Sequence, residues 1–207
     1  MKKSFKGIER IVFLTRSHLG DLLLMTPAIH AVRERFPQAR IFILVEEGCR
    51  EVFTQNPDVD EILTFDVHAL RRSNGIKKLG EELKIIRLLR RQEFDLAICF
   101  YPEDRTTVWA FMSGAQYRVG PSHQPFRSLL NVKVSTSETA AGVREYFLDI
   151  VRAIGAVPST LQMRFTVSAD AEAWAESILR SHFLAEKKVL IGIHPGASGE
   201  YKIWPPE

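Results

Sequence analysis

Two segments of this 207-residue chain carry residue types that can do chemistry. The first is Arg16-Ser17-His18-Leu19-Gly20-Asp21, set between the apolar run Ile11-Val12-Phe13-Leu14 and a helical pattern. It puts a glycine and a carboxylate at a strand-to-helix turn, which in an open α/β sheet lies at the carboxyl end of a strand, where ligands bind. A carboxylate there stays ionised, because the helix dipole and free N–H groups favour negative charge. Asp21 is therefore suited to taking a proton; the plainer role is to cap the helix. Gly20 lets a ligand come close to the backbone, and Arg16, Ser17 and His18 line the same turn. The second segment is Pro195-Gly196-Ala197-Ser198-Gly199 with Lys202 and Trp204-Pro205, after the apolar run 189–194. A lysine, the Ser198 hydroxyl and loop N–H groups near a helix N-terminus suit a phosphate or a departing diphosphate. The spacing is not that of a P-loop, and an ordinary turn with a surface lysine would use the same residues.

The elements that must position these segments alternate. Strands are expected over 11–15, 40–45, 61–65, 95–100 and near 117–119, with a further strand over 189–194. Helices are expected over 22–36, 47–55, 76–92, 104–112, 141–154 and 171–183. The first carries Leu22, Met25, Ile29, Val32 and Phe36 on one stripe, with Pro27 read as lying early, where proline does least harm. Residues 120–130 read as a loop and 158–165 as a linker. Trp109, Phe111 and Met112 read as core, Trp174 as domain packing, and Trp204 as a brace for the phosphate loop. Alternating βα units imply a doubly wound, mostly parallel α/β sheet. The chain divides in this reading into a first domain over 1–165 and, over 166–207, a linker helix with the first strand and phosphate loop of a second domain. A lone strand with one opening helix cannot bury its apolar faces, so the second domain is expected to be truncated.

The bulk properties bound the function classes. Hydrophobic residues make up 45% and charged residues 26%, which suits a normal soluble core. The net charge of +3 does not by itself imply nucleic acid. Cys49 and Cys99 lack motif spacing, so no disulfide framework or thiol chemistry is expected, and Cys99 in an apolar run reads as a buried thiol. The apolar stretch after the basic N-terminus is too short for a signal-peptide core, and no run is long enough to span a bilayer. A cytoplasmic location is expected, with surface contact to a membrane still open. Arg71, Arg72, Lys77, Lys78, Lys84, Arg87, Arg90 and Arg91 form a basic stretch broken only by Glu81 and Glu82. It reads first as a solvated helix face; the functional alternative is attraction to an anionic membrane or to an acidic acceptor.

Several stretches together resemble glycosyltransferase family 9, the ADP-heptose:lipopolysaccharide heptosyltransferases. They are residues 11–27 with the Gly20-Asp21 pair, Phe36-Pro37, residues 57–62, Arg118-Val119-Gly120, Glu145-Tyr146 with Gly155, and Pro195 to Ser198 with Lys202 and Trp204-Pro205. They occur in family order over almost the whole chain. The resemblance implies a Rossmann-like first half of a two-domain GT-B architecture, in which the first domain binds the acceptor and the second the nucleotide sugar. It implies inverting transfer of heptose from ADP-heptose to a lipopolysaccharide inner-core acceptor, an anionic glycolipid of Kdo-lipid A type, with no metal and no nucleic-acid partner. Asp21 would be the general base. Arg16, Ser17, His18, Gly20, Arg105 and Arg118 would serve the acceptor, and Gly196, Ser198 and Lys202 the donor phosphates. The chain departs from the family at Ala141-Gly142, where many relatives carry a histidine, and it lacks most of the nucleotide domain. A non-catalytic fragment that binds acceptor or a partner is the alternative. A dinucleotide-dependent oxidoreductase is disfavoured, because residues 17–21 lack the three-glycine fingerprint.

Overall fold

The computed structural model describes residues 5–15, 18–72, 74–101, 103–136, 142–182, 189–194, 196 and 203. The chain divides into two compact units, Met1–Thr166 and Val167–Glu207.

The first unit is built on a six-stranded sheet in the order β3-β2-β1-β4-β5-β6. Its strands are β1 (Arg10–Leu14), β2 (Arg40–Glu46), β3 (Glu61–Phe65), β4 (Leu96–Cys99), β5 (Tyr117–Pro121) and β6 (Val132–Val134). Every neighbouring pair is parallel, with Ile11 beside both Ile41 and Leu96 in register. The helices are α1 (Leu19–Arg35), α2 (Val67–Arg72), α3 (Gly75–Arg90), α4 (Asp104–Met112) and α5 (Gly142–Arg152), with a 3-10 helix over Glu47–Val52 and a shorter one over Arg127–Leu129. The central strands are buried almost throughout, as a parallel sheet covered on both faces requires. Alternation divides them: Ile11 and Phe13 join the core under α1 and α5, while Val12 and Leu14 join the core with Ile85 and Leu89 of α3 and Trp109 of α4. Cys99, fully buried, has its thiol pushed up to about 12 by desolvation, so it is an inert packing group.

The apolar stripe expected on the first helix is buried along its length, from Leu22 to Phe36. The helix starts three residues earlier than expected, at Leu19, so Pro27 is not in its first turn but its ninth residue. Proline cannot donate to the carbonyl four residues back. Here that carbonyl, Leu23 O, accepts from the Thr26 hydroxyl at 2.7 Å, which supplies the missing donor.

Residues 157–166, the end of the first unit, are held on α1 by a charged cluster. Asp58, nearly fully buried, accepts from His30 Nδ1 at 3.1 Å and from Arg164 Nη1 at 3.1 Å. With hydrogen on Nδ1, His30 Nε2 is an acceptor, and Arg164 Nη2 lies 3.2 Å from it. Arg164 N donates to Thr26 Oγ1 at 2.9 Å, and Ser159 N to Glu34 at 3.2 Å. Hydrogen bonding from Ser159 holds the Glu34 carboxyl below the ordinary glutamate range.

In the second unit the structure describes one helix, α6 (Ala169–Ser181), whose N-cap Ser168 accepts from Ala171 N at 3.2 Å. It begins two residues earlier than expected, and Trp174 on it is exposed rather than packed. The strand expected over 189–194 is not observed. These residues are irregular, and Ile191 and Ile193 are 83% and 84% exposed. An apolar run becomes a strand only when a neighbour completes its backbone hydrogen bonds. No described strand pairs with it.

Candidate active site at the sheet's carboxyl edge

The strand order reverses between β1 and β4, so the turns leaving these two neighbours rise side by side at the carboxyl edge. In open α/β sheets this switch point is where ligands bind. The turn after β1 leads into α1, and the turn after β4 into α4.

The α1 turn carries the predicted base. His18 is the N-cap, in extended conformation, and its carbonyl accepts from Leu22 N at 3.1 Å. Asp21 is the third helical residue. It is therefore not the N-cap residue, and the His18 side chain makes no capping hydrogen bond. Among the described residues the Asp21 carboxylate has no hydrogen-bond or ion-pair partner, and it is only half-buried. A carboxylate with no partner among the described residues, in the first turn of a 17-residue helix, is available to a ligand. Gly20 beside it is exposed, and a Cβ built there would meet nothing within 4 Å. The open space lies outside the protein, where an approaching ligand would fit. Arg16 and Ser17 lie outside the described residues.

The α4 turn contributes groups that the sequence reading passed over. Tyr101 and Glu103 are half-buried and Asp104 is exposed. Glu103 is the N-cap of α4; its carbonyl accepts from the Thr107 hydroxyl at 2.9 Å, while Asp104 Oδ1 accepts from Arg105 N at 2.8 Å. The expected strand-helix boundary at Asp104 was the available signal. What the pattern did not supply was that β4 lies next to β1.

Arg105 and Arg118 are placed differently from Asp21. Arg105 pairs through Nε with Glu82 of α3 at 3.1 Å, and Glu82 also accepts from Trp109 Nε1 at 2.7 Å. Its guanidinium joins α4 to α3. Arg118 is the second residue of β5, at the amino end of a parallel strand, and the structure does not bring it to the carboxyl edge. Its Nε donates to Leu129 O at 2.7 Å and its Nη1 to Ala115 O at 2.6 Å, which anchors the crossover from β5 to β6. Phe111, expected in the core, is instead exposed, with the Arg118 guanidinium 5.5 Å from its ring centroid. Trp109 is fully buried as expected. Gly120, next in this motif, allows close packing: a Cβ there would lie 3.1 Å from Leu130 Cδ1 and 3.2 Å from Cys99 Cβ. Gly155 ends the chain turn after α5 with φ +81°, a conformation that favours glycine. Of the predicted phosphate residues, Gly196 is described and exposed. Ser198, Lys202 and Trp204 lie outside the described residues.

The switch-point geometry and the parallel sheet flanked by helices define the class, an α/β chain of the Rossmann-like type. Comparison with known proteins sharpens this. No family model matches the chain. It is 24% identical over 205 residues to lipopolysaccharide heptosyltransferase 2 of Escherichia coli, covering 95% of this chain and 57% of that protein. Its fold matches a glycosyltransferase family 9 structure from Veillonella parvula with a TM-score of 0.82 at 22% identity, over 99% of this chain and 57% of the other. It matches the E. coli ADP-heptose lipopolysaccharide heptosyltransferase II structure with a TM-score of 0.72 at 22% identity, over 95% and 57%. The resemblance to glycosyltransferase family 9 read from the sequence thus holds across nearly the whole chain. The chain spans a little over half the length of the relatives it matches.

Proposed function

We propose that the chain supplies the acceptor side of an inverting glycosyltransferase. It would transfer heptose from ADP-heptose to the inner core of lipopolysaccharide, at the cytoplasmic face of the membrane. No helix among the described residues is long and apolar enough to cross a membrane, and the contact we propose is peripheral. The observation that carries the reading is Asp21: a carboxylate without a partner among the described residues, in the first turn of α1, beside the open face of Gly20, at the sheet's switch point.

In the proposed reaction the acceptor hydroxyl oxygen attacks the anomeric carbon from the side opposite the diphosphate. The bond from that carbon to the diphosphate oxygen breaks, and Asp21 takes the hydroxyl proton. Arg16, Ser17 and His18 would hold anionic groups of the acceptor, Arg16 through its planar fork. Gly196, Ser198 and Lys202 would hold the donor phosphates, so that the departing charge is met by fixed donors without a metal. Arg105 and Arg118 would serve the acceptor indirectly, by fixing α4 and the β5–β6 crossover.

The test is Asp21→Asn in a chain spanning its relatives' full length. Loss of a general base costs roughly 100- to 10,000-fold in turnover. The side chain has no partner to lose among the described residues, and loss of its charge in the first turn of α1 costs about 0.3–1 kcal/mol, so the melting temperature falls by only about 1–4 °C. Retained turnover rejects the base role.

A further inference from the structure

We propose that the outward face of α3 docks on an anionic lipid bilayer. The inference rests on the reading of a membrane-anchored acceptor only for its purpose; the surface itself is argued from α3.

The helix has two unlike sides. Ile85 and Leu89 are buried against the sheet with Trp109 and Phe94. On the outward side Ile76 is 89%, Leu79 58% and Leu83 36% exposed. Their spacing of three and four places them on one stripe. Every residue from Gly75 to Leu79 is exposed, so the first turn stands clear of the core. A helix face meant only for water would carry polar groups at these positions.

Cations surround the stripe. Between Arg72 and Arg91 the chain carries seven cations and two carboxylates, Glu81 and Glu82. Both carboxylates are engaged: Glu81 with Lys84 at 2.7 Å and Glu82 with Arg105 and Trp109. Lys77, Lys78, Arg87 and Arg90 are exposed and have no ion-pair partner among the described residues. Leucine and isoleucine on a short stripe, flanked by lysine and arginine, are the composition of a helix that lies in the membrane interface. A second copy of this chain would bring like charges face to face, and a purely polar polyanion would leave the three apolar side chains in water. A bilayer with anionic headgroups satisfies both.

Placement supports the choice. α3 follows β3 and α2, starts at the sheet's carboxyl edge and runs back to the start of β4. Its apolar, lysine-rich end therefore lies at the same edge as Asp21, and Leu19 beside Asp21 is also exposed. A bilayer under this end would present a lipid-anchored acceptor to the edge that carries the base.

The experiment is co-sedimentation of the chain with vesicles of phosphatidylcholine alone and of phosphatidylcholine mixed with phosphatidylglycerol. Binding to the anionic vesicles only is expected. Each neutralised cation should weaken it about fivefold, so Arg87→Gln with Arg90→Gln, both on the stripe's own face, costs roughly 25-fold. Ile76→Ser and Leu79→Ser together keep every charge and should also lose most of the binding, with the parent's circular dichroism spectrum retained. Equal binding to both vesicles, no binding to either, or a serine variant that binds like the parent overturns the proposal. So does light scattering that shows a dimer which the serine variant loses. Transfer to a delipidated, soluble acceptor, in a chain of its relatives' full length, keeps the two claims apart: α3 variants that leave it intact speak to docking alone, and its absence in a vesicle-binding full-length parent speaks against the activity alone.

Discussion

Replacing Gly20 by alanine separates structure from ligand approach at the candidate site. Gly20 is the second residue of α1, its φ is not positive, and a Cβ built on it meets nothing within 4 Å. The new methyl group therefore strains nothing, and it restricts the unfolded chain. Gly→Ala at such a position stabilises by about 0.4–1 kcal/mol. For a chain of this size that raises the melting temperature by roughly 1–4 °C. If an acceptor lies against Gly20 so that its hydroxyl reaches Asp21, the same methyl displaces it. A displacement of about 1 Å in a reacting group costs on the order of 100-fold in rate. The assay is differential scanning calorimetry beside initial-rate transfer, with acceptor concentration varied, in a chain of its relatives' full length. A more stable, much slower variant is expected. Unchanged transfer would show that nothing approaches the backbone at Gly20, and a lowered melting temperature would refute the account of how α1 begins.

Three further perturbations probe the scaffold. Gly120→Ala should cost about 1–3 kcal/mol in urea unfolding, because its Cβ would press on Leu130, Gln124 and Cys99 together. Asp58→Ala should cost about 2–3 kcal/mol and open residues 157–166 to proteolysis, because it leaves His30 and Arg164 without their shared acceptor; limited digestion with trypsin reads this at Arg164. Asp66 caps α2 by accepting from Ala69 N at 2.9 Å and His68 N at 2.8 Å, and the bond from Ala69 leads in holding its carboxyl below the ordinary aspartate range. A carboxyl depressed in the folded state adds stability above its unfolded pKa and loses it as pH falls through the folded one. Asp66→Asn should therefore lower stability in the neutral region and leave the acid region nearly unchanged, which flattens the acid limb of stability against pH.

The parts of the fold legible in the sequence were those with local signals. The strand Glu61–Phe65 and the helix Asp104–Met112 were readable to the residue, from a run after Asn56-Pro57-Asp58 and a helix opened by acidic residues. β6 was missed because three residues, Val132 to Val134, make no period, and α2 because its signal is the single cap Asp66. The apolar stripe of α1 begins at Leu22, whereas its first turn is solvent-facing, so the stripe marked the buried part rather than the start. Phe111 was misplaced because in a nine-residue helix with Trp109 and Ala110 the apolar residues do not declare which side faces the core. The Asp21 turn was legible from residue types alone. Its neighbour across the switch point, with Tyr101 and Glu103, was not, and neither was the His30–Asp58–Arg164 cluster, because both depend on contacts between distant segments.

The central claim is that the Asp21 carboxylate meets the attacking hydroxyl. The most direct measurement is a crystal structure of a chain of full relative length with an acceptor and an inert ADP-heptose analogue bound. An Asp21 carboxylate oxygen about 2.6–3.2 Å from the acceptor hydroxyl is the expected result. An acceptor seated elsewhere on the sheet, with Asp21 facing open water, would contradict it.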